Sequence, residues 1–558
     1  MVRHGARLLF VMLTVLTAPT SFADTLLVSG TIYTADDANS VVEAVVIDEG
    51  RFTFVGDLAT AQSKAGVGHR HIALGAATGY PGFIESHGHL SSLGEAITNL
   101  DLNGVDSYQT IVGMVADAAA KASPGQVIKG RGWHQSKWSK EPSVTVDGFP
   151  THRSLSEVSP NNPVFLGHAN GHTALVNRAA MDALNLNYST PTPDGGVIVK
   201  NGKGDPTGIL HENAIDLAHS LTALSKESSK AAILAAQTHA FQWGITNFHD
   251  AGAGSTDIEA QLALDESKQL KLRVYTMMSA QDEALTDYWL ARPPLIADDN
   301  SRLTIRSFKA VMDGALGSRT AWLHQPYTDD PGTSGVQTFD ESRLVEIMNR
   351  SNTHGWQINT HAIGDKANTV VLDAIDEASL TERDHRSRIE HSQHLLPSDI
   401  DRFSTLGVIA SIQAIHMSSD RPWAIDRLGK ERIESGAYLW RDLLNAGVHI
   451  ANGTDVPVEP INPVANFYAS VARKTLKGLP AEGYEIGQKL SRQETLKSMT
   501  LWNAYAAFEE AEVGSISVGK RADMTVTDQN LMTVDETMIL ATKPVMTIVG
   551  GEVVFSSM

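Results

Sequence analysis

The chain has 558 residues, of which 42% are apolar and 20% charged, and this ordinary globular composition excludes a disordered, collagen-like or multi-span membrane protein. Its 45 basic and 64 acidic residues give a net charge of −19. Such a surface repels phosphate backbones, so we expect no nucleic-acid partner. The chain has no cysteine, which excludes disulfides, thiolate zinc sites and cysteine nucleophiles, but it has 21 histidines.

The first residues have the pattern of a secretory signal peptide. Arg3 and Arg7 precede an apolar run over residues 8–18, and small residues follow that run. The run is shorter than the roughly 20 residues that a membrane-spanning helix needs. We therefore predict a signal peptide over residues 1–23 that is cleaved after Ala23, which makes the protein periplasmic or secreted, with no membrane contact after cleavage.

Both ends of the mature chain have the texture of short β-strands. Strand-like runs occur at residues 26–28, 44–47 and 52–55 near one end, and at 524–526, 545–549 and 553–555 near the other. Neither end has enough strands to bury a core by itself. We predict that residues 24–78 and 509–558 together form one small β-sandwich domain.

The middle of the chain, residues 79–508, alternates apolar β-branched runs with helical patterns, which is typical of βα units and of an α/β fold. One helix start is clear in this region. Ser491 and Glu494 have the spacing of a capping box, and the apolar-periodic stretch 496–508 follows them.

The strongest local motif is the pair His87 and His89, which follows the apolar segment 81–84. Residues i and i+2 of a strand face the same side, so the two imidazoles would project together. At this spacing they can hold one divalent cation from a single rigid strand. The alternative is an exposed strand with two incidental histidines.

Four further polar residues each end a short strand-like run: Lys309, His361, His391 and Asp455. A (β/α)8 barrel places its chemistry at the carboxyl ends of its strands and has roughly 30 residues per βα unit. His391 follows His361 by 30 residues, and Asp455 follows His391 by 64. These spacings predict that the four residues follow barrel strands 4, 5, 6 and 8.

The separation between His89 and Lys309 is too long for three βα units, because it amounts to 220 residues where about 90 would suffice. We therefore predict a (β/α)8 TIM barrel with a large insertion after strand 1, over about residues 100–215. The insertion contains the segments 130–133 and 167–172, and we expect it to act as a lid or substrate region.

These motifs resemble the amidohydrolase superfamily of metal-dependent (β/α)8 hydrolases, in the branch that contains N-substituted formamide deformylase (amidohydrolase family 3). The likeness covers nearly the whole mature chain, through segments 81–89, 130–133, 171–177, 244–252, 313–319, 389–391, 453–455 and 514–523. Two departures stand out. Glu85 replaces the usual Asp ahead of the histidine pair, and Ala169-Asn170 replaces a more usual Asp before Gly171-His172.

The resemblance implies a site for one or two divalent metal ions. His87 and His89 would hold one ion, and His361 and His391 the other. Lys309 would bridge them as a carbamate (a carboxylated lysine), since a protonated ammonium cannot ligate a cation. A single-metal site with uncarboxylated Lys309 is the alternative. Histidine-rich ligation favours zinc, although manganese, iron and cobalt stay open.

Asp455 would be the general base that takes a proton from the attacking water and returns it to the leaving nitrogen. A turn residue is its alternative interpretation. His394 competes with His391 as a ligand, and Asp313 is a candidate partner for the surroundings of Lys309. Five residues are candidates for substrate binding, and packing, ion pairing or structural hydrogen bonds would explain them equally well: Trp133, His172, His211, Arg319 and His416.

The implied function is hydrolysis of a carbon–nitrogen bond other than a peptide bond in a small-molecule substrate, most plainly an N-acyl or N-formyl amide. Two alternatives are a deaminase or a cyclic-amide hydrolase with the same site. A third, from a different class, is a periplasmic ligand-binding protein without catalysis. The sequence is compatible with a homo-oligomer.

Overall fold

The computed structural model describes residues 25–135, 138–140, 142–168, 173–193, 196–380 and 383–558. The predicted signal segment 1–23 lies outside these ranges. Within them, no helix combines the length and the apolarity needed to cross a membrane.

The N-terminal region consists of four strands and one short helix. Its elements are β1 (Leu26–Tyr33), β2 (Val41–Asp48), β3 (Arg51–Gly56), α1 (Leu58–Ala65) and β4 (Arg70–Pro81). A tight turn at Glu49 and Gly50 joins β2 to β3. Both residues have positive φ, 48° and 76°, as a type I′ hairpin turn requires, and this explains the glycine.

The insertion follows the first barrel strand, β5 (Phe83–Gly88), and its helix α2 (Leu90–Thr98). It comprises β6 (Leu100–Asp101), α3 (Tyr108–Ala119), β7 (Ile128–Trp133), β8 (Thr145–Val146), β9 (Phe149–Pro150), α4 (Arg153–Val158), β10 (Val164–His168), β11 (Thr173–Val176), α5 (Arg178–Ala183), β12 (Gly196–Lys200), β13 (Pro206–Glu212), a 3-10 helix (Asn213–Ala218) and α6 (His219–Thr222). Six of its strands form a sheet in the order β12-β13-β11-β10-β7-β6. Residues such as Ile111, Leu166 and Ile209 give this sheet an apolar core of its own.

The remaining barrel elements alternate helix and strand. They are α7 (Lys226–Gln242), β14 (Ile245–Ala253), α8 (Ser255–Glu266), β15 (Arg273–Ser279), α9 (Glu283–Leu290), β16 (Leu303–Val311), α10 (Glu341–Ser351), β17 (Gln357–Ala362), α11 (Asp365–Glu377), β18 (Arg388–His391), a 3-10 helix (Pro397–Asp399), α12 (Ile400–Thr405), β19 (Ile409–Ile412), α13 (Ala414–Leu428), α14 (Lys430–Gly436), α15 (Trp440–Asn445) and β20 (Ile450–Asn452). The eight parallel strands follow the order β5-β14-β15-β16-β17-β18-β19-β20. A parallel bridge between Gly88 and Val456 joins the last strand to the first. The predicted (β/α)8 barrel is confirmed, with the insertion between strands 1 and 2.

After the barrel come α16 (Pro463–Ala472), a 3-10 helix (Ile486–Gln488), α17 (Arg492–Ser498) and α18 (Leu501–Ala506). The capping box of Ser491 and Glu494 forms as predicted and begins α17. The single helix expected over 496–508 is instead broken near Met499. The carbonyl of Met499 accepts the N–H of Ile84 in β5 at 2.9 Å. This carbonyl would have to accept a hydrogen bond within the helix if the helix continued, so its bond to the barrel strand explains the break.

The C-terminal strands join the N-terminal ones. They are β21 (Met524–Thr527), β22 (Pro544–Val549) and β23 (Glu552–Ser556), with a 3-10 helix (Glu536–Ala541) between the first two. All seven strands lie in one continuous sheet in the order β23-β22-β21-β4-β1-β2-β3. The chain ends thus form one β domain, and the expected sandwich takes the form of a single sheet, since the 12-residue β4 pairs with β1 along one edge and β21 along the other.

One buried ion pair joins this β domain to the barrel. Nε and Nη2 of Arg273 in β15 lie 2.6 and 3.0 Å from the two carboxylate oxygens of Asp523, next to β21. Both side chains are less than a tenth exposed. The paired geometry holds the β domain at a fixed position on the outside of the barrel.

Candidate metal and catalytic site

The residues predicted at strand ends meet at the carboxyl end of the barrel. His87 lies in β5, Lys309 in β16, His361 in β17 and His391 at the end of β18, while His89 and Asp455 follow β5 and β20 closely. These are barrel strands 1, 4, 5, 6 and 8, as the sequence spacings predicted. The fold therefore brings together residues that are up to several hundred positions apart in the chain.

Asp455 lies among three imidazoles. Its Oδ1 is 3.0 Å from Nε2 of His89 and 3.6 Å from Nε2 of His87. Its Oδ2 is 3.8 Å from Nε2 of His416. Asp455 has a positive φ of 61°, which is uncommon outside glycine, and its N–H donates to the carbonyl of His87 at 2.7 Å. This bond between strands 8 and 1 fixes the carboxylate beside the histidines.

Two buried side chains orient the imidazoles from behind. Nδ1 of His87 donates to Oε2 of Glu390 at 2.6 Å, and Nδ1 of His391 donates to Oε1 of Gln413 at 2.6 Å. Each bond engages one ring nitrogen and leaves Nε2 as the nitrogen available for a ligand. Histidines that bind metals are held in this way, with a carboxylate or carbonyl on the second nitrogen.

Lys309 is the only lysine that lines the site among the described residues, and it is 4% exposed. Its Nζ lies 3.2 Å from Nε2 of His87. Burial lowers the pKa of Lys309, and the nearby Arg388 lowers it further, although Glu390 and Asp455 oppose the shift. A lysine with a lowered pKa has a larger share of the neutral amine, which is the form that reacts with carbon dioxide.

The electrostatics of the site favour neutral imidazoles and ionised carboxylates. Burial lowers the pKa of His87 to about 4, with a further contribution from Lys309. Burial likewise lowers the pKa of His391 well below its usual value. For Asp455, burial would raise the pKa, but the hydrogen bond from His89 and the neighbouring histidines hold it well below the usual range. Neutral imidazoles and carboxylates are the protonation states in which these groups ligate metals.

Glu85, which departs from the family pattern, has a structural position. Its Oε1 accepts the N–H groups of His87 and Thr454 at 3.1 and 2.7 Å, and its Oε2 accepts the Thr454 hydroxyl at 2.7 Å. The added Cβ of any residue replacing Gly453 would come within 2.3 Å of Glu85 Oε1. The carboxylate therefore fastens the turn that carries Asp455 to the first strand.

The donor set fits a divalent cation. In each of two groups, the donor atoms lie within 4.8 Å of one another: His87, His89 and Asp455, and His391, His416 and Asp455. The ring centroid of His361 lies 4.4 Å from that of His391. Nε2 of His416 is buried and has no hydrogen-bond partner among the described residues. Imidazole and carboxylate are ordinary ligands of zinc and of related divalent metals.

A cavity of about 620 Å³ opens above these residues. Its volume suits a small-molecule substrate. The metal end is formed by the histidines, Lys309 and Asp455, while the rest of the wall includes Ser279, Gln281, Gln393, Asp420, Trp423 and Glu459.

Of the four described residues that were predicted to bind substrate, only His416 lines this cavity. Trp133 is buried in the core of the insertion and donates its indole N–H to the Leu166 carbonyl at 2.9 Å. His211 bonds Thr173 within the insertion sheet, and its ring lies 4.9 Å from Phe149. The structure thus gives Trp133 and His211 packing roles inside the insertion. His172 lies outside the described residues.

Arg319, His394 and Asp313 also have positions outside the cavity wall. Arg319 forms a bidentate ion pair with Asp329, although the glycine and leucine a few residues earlier reach the cavity. His394 is buried, and its Nε2 lies 3.6 Å from Oδ2 of Asp365, so His391 is the histidine that the barrel directs into the site.

Asp313 accepts the N–H groups of Trp322, Ile363 and Gly364, and its Oδ1 lies 3.4 Å from Nε2 of His361. It braces the loop beside the site.

The sequence motifs did not reveal Glu390, Gln413, Asp420, Trp423 or Glu459. Glu390 could have been recognised as a candidate from the sequence, because it directly precedes His391 in a strand. A side chain at that position must face either the interior of the barrel or its outside. Gln413 directly follows strand 7, and Asp420 lies in α13, the next helix. The spacing argument placed no residue in this part of the chain.

Comparisons with known proteins agree with the family that the sequence motifs predicted and with the fold. A model of the amidohydrolase family matches residues 71–555. The Arabidopsis thaliana protein LONG AFTER FAR-RED 3 is 32% identical over 91% of this chain and 88% of its own length. N-substituted formamide deformylase of Arthrobacter pascens is 25% identical over 92% of this chain and 94% of its own.

The structural comparison gives the same result. The crystal structure of an uncharacterised metal-dependent hydrolase from Pyrococcus furiosus matches with a TM-score of 0.76 and 29% identity, over 91% of this chain and 100% of the other. The chain belongs to the amidohydrolase family and is a hydrolase that acts on carbon–nitrogen bonds.

Proposed function

We propose that the protein is a metal-dependent enzyme that hydrolyses the amide bond of an N-formyl or N-acyl small molecule. The observation that carries this proposal is the position of the Asp455 carboxylate. It lies 3.0 Å from His89 and 3.8 Å from His416, in the wall of a cavity of about 620 Å³ that also contains Lys309. The N-substituted formamide deformylase relative supports the substrate class.

The chain would hold one or two divalent ions, most suitably zinc given the imidazole ligands. His87 and His89 would hold one ion and His361 and His391 the other, and a carbamate on Lys309 would supply a further oxygen ligand. When bound, such ions supply Lewis-acid chemistry that polarises a carbonyl and makes water a nucleophile at neutral pH.

Asp455 would move the proton during hydrolysis. The carboxylate lies 3.0 Å from Nε2 of His89, beside the side chains that would hold the metal, where it would accept a proton from the attacking water as the new carbon–oxygen bond forms. The carboxylate then returns that proton to the amide nitrogen as the carbon–nitrogen bond breaks. The products are a carboxylic acid, which ionises, and an amine, so one water is consumed for each bond cleaved.

The partners behind the ring nitrogens keep this arrangement in place. Glu390 and Gln413 fix the orientation of His87 and His391, and the bond from the Asp455 N–H to the His87 carbonyl fixes the general base relative to strand 1. Reaction rates depend steeply on such positioning, since displacements near 1 Å can cost about 100-fold.

The test uses the full chain, stripped with a chelator and reloaded with zinc. It is assayed against N-formyl amines, N-acetyl amines, cyclic amides and amino-substituted heterocycles. We expect hydrolysis of N-formyl or N-acetyl amines that is lost with chelator and restored by zinc. Ammonia release from heterocycles alone would support a deaminase instead, and ring opening alone would support a cyclic-amide hydrolase. Tight binding without any turnover would support a ligand-binding protein.

A further inference from the structure

Besides Asp455, the described lining of the cavity includes two acidic side chains. Asp420 lies in α13 and Glu459 lies in the loop after strand 8, and both are half-buried where they line the cavity. The charge of Glu459 contributes to a raised pKa of Asp420, whose main cause is burial, while His416 opposes it. Both carboxylates therefore contribute negative charge to the lining of one cavity.

These acids have no lysine or arginine partner among the described residues. Arg421, next to Asp420, instead pairs with Glu485 at 2.6 Å. Arg427, farther along α13, pairs with Asp329 and has its guanidinium over the Trp423 ring. Lys309 is the one lysine of the described cavity lining, and no described arginine lines it. The wall therefore has a net negative charge that the protein leaves uncompensated.

His416 lines the same cavity but belongs to its metal end, because its Nε2 is one of the donor atoms grouped with His391 and Asp455. Asp420 and Glu459 are outside that donor group. Partly buried carboxylates without a cation beside them are unfavourable, so these two acids point to a positively charged ligand in the cavity.

We propose that the substrate carries a positively charged group, such as a protonated amine, which Asp420 and Glu459 bind in the same cavity that holds the scissile amide. This inference rests on the proposed function, because it assigns a substrate class to the same cavity. Trp423 also lines this cavity, and the Arg427 guanidinium lies over its ring at 5.7 Å from the centroid. The two acids would set the orientation of the substrate, because their negative charge attracts its cationic end.

Three probes of nearly equal size test the proposal: the mono-N-formyl derivatives of diaminobutane, aminobutanol and aminobutanoate. Their free ends are cationic, neutral and anionic. The zinc-loaded full chain is assayed for kcat/KM with each, and calorimetry measures how tightly each binds. We expect the cationic probe to exceed the neutral one by at least about tenfold, in line with a hydrogen bond to a charged group, and the anionic probe to be the poorest.

Two variants assign the preference to the wall. Asp420→Asn and Glu459→Gln should each move the cationic-to-neutral ratio of kcat/KM toward one, mainly through KM for the cationic probe. Asp426→Asn, an exposed position on the same helix, should keep the wild-type ratio. Each ratio compares two probes with the same protein preparation. A partial loss of folded protein therefore lowers both rates equally and leaves the ratio unchanged.

The outcomes separate the two proposals. If all three probes are hydrolysed equally, or the variants keep the wild-type preference, the assignment of a cationic substrate is wrong while the hydrolase function stands. If no probe is hydrolysed, the proposed function fails for these amides. In that case, failure of the cationic probe to bind more tightly than the neutral one would overturn the charge assignment as well.

Discussion

The Glu390 carboxylate lies 2.6 Å from Nδ1 of His87, across the barrel interior from strand 6 to strand 1. Both groups are buried. Burial would raise the pKa of Glu390, but the His87 contact and the charges of Arg388 and Lys309 hold it at about 2. The carboxylate is therefore a fixed negative charge behind the first histidine of the metal site.

Replacing this charge should weaken metal binding. We expect Glu390→Gln to lower metal affinity by about 10–100-fold, since the neutral amide orients His87 less firmly and makes it a poorer ligand. Metal content after dialysis against a graded chelator measures the effect. Glu482→Gln, an exposed position, serves as the control and should bind metal like the wild type. Equal affinities for both variants would show that Glu390 has no part in the metal site.

Lys309 provides a direct test of the carbamate. Addition of carbon dioxide to the neutral amine gives the carbamate and one proton. We expect a carbamate carbon signal by nuclear magnetic resonance when the zinc-loaded wild type is supplied with labelled bicarbonate. Lys309→Ala should lack that signal, bind fewer ions per chain and lose about 100-fold or more in turnover. The exposed variant Lys477→Ala should keep the signal. A fully active wild type with one ion and no such signal would support the single-metal alternative.

The ion pair between Arg273 and Asp523 should contribute strongly to stability. Asp523→Asn leaves the buried Arg273 charge unpaired, so we expect a loss of about 3–5 kcal/mol in the free energy of unfolding at neutral pH. Urea unfolding measures it. The matched control is Asp299→Asn, which removes ion pairs to Arg51 and Arg521 from a carboxylate that is 76% exposed, and it should destabilise the protein far less than Asp523→Asn does.

The ion pair between Arg273 and Asp523 should also make the free energy of unfolding depend on pH. Burial would raise the pKa of Asp523, but the contact with Arg273 outweighs it and the pKa is lowered. A depressed pKa in the folded state means that the stabilisation is complete above the unfolded value of about 3.9 and is lost as pH falls through the folded value. The difference in the free energy of unfolding between wild type and Asp523→Asn should therefore become smaller only in strong acid. A difference that already becomes smaller near neutral pH would contradict this assignment.

The sequence predicted the parts of the site that chain spacing controls. Lys309, His361, His391 and Asp455 end strands at near-regular intervals, so one barrel geometry fitted all of them. The two chain ends were predicted to pair because neither could bury a core alone. These predictions depend on local pattern and on a fold whose repeat length is regular.

The sequence could not predict contacts between distant segments. Glu390 meets His87 across 303 positions, and no local pattern links them. Trp133 and His211 looked like pocket residues, but the insertion has its own sheet, which has Trp133 in its core and His211 hydrogen-bonded to Thr173. The acidic wall of Asp420 and Glu459 joins a helix to a loop, and only the closed barrel shows that they face one cavity.

The most direct test of the account compares wild type and Asp455→Asn with equal zinc content, using the best N-formyl or N-acetyl substrate. Asp401→Asn, whose side chain is exposed, is the control. We predict that the wild type and the control hydrolyse the amide, that a chelator abolishes this and zinc restores it, and that Asp455→Asn loses about 10²–10⁴-fold in kcat. Full turnover by the chelated wild type, or by zinc-loaded Asp455→Asn, would contradict the account.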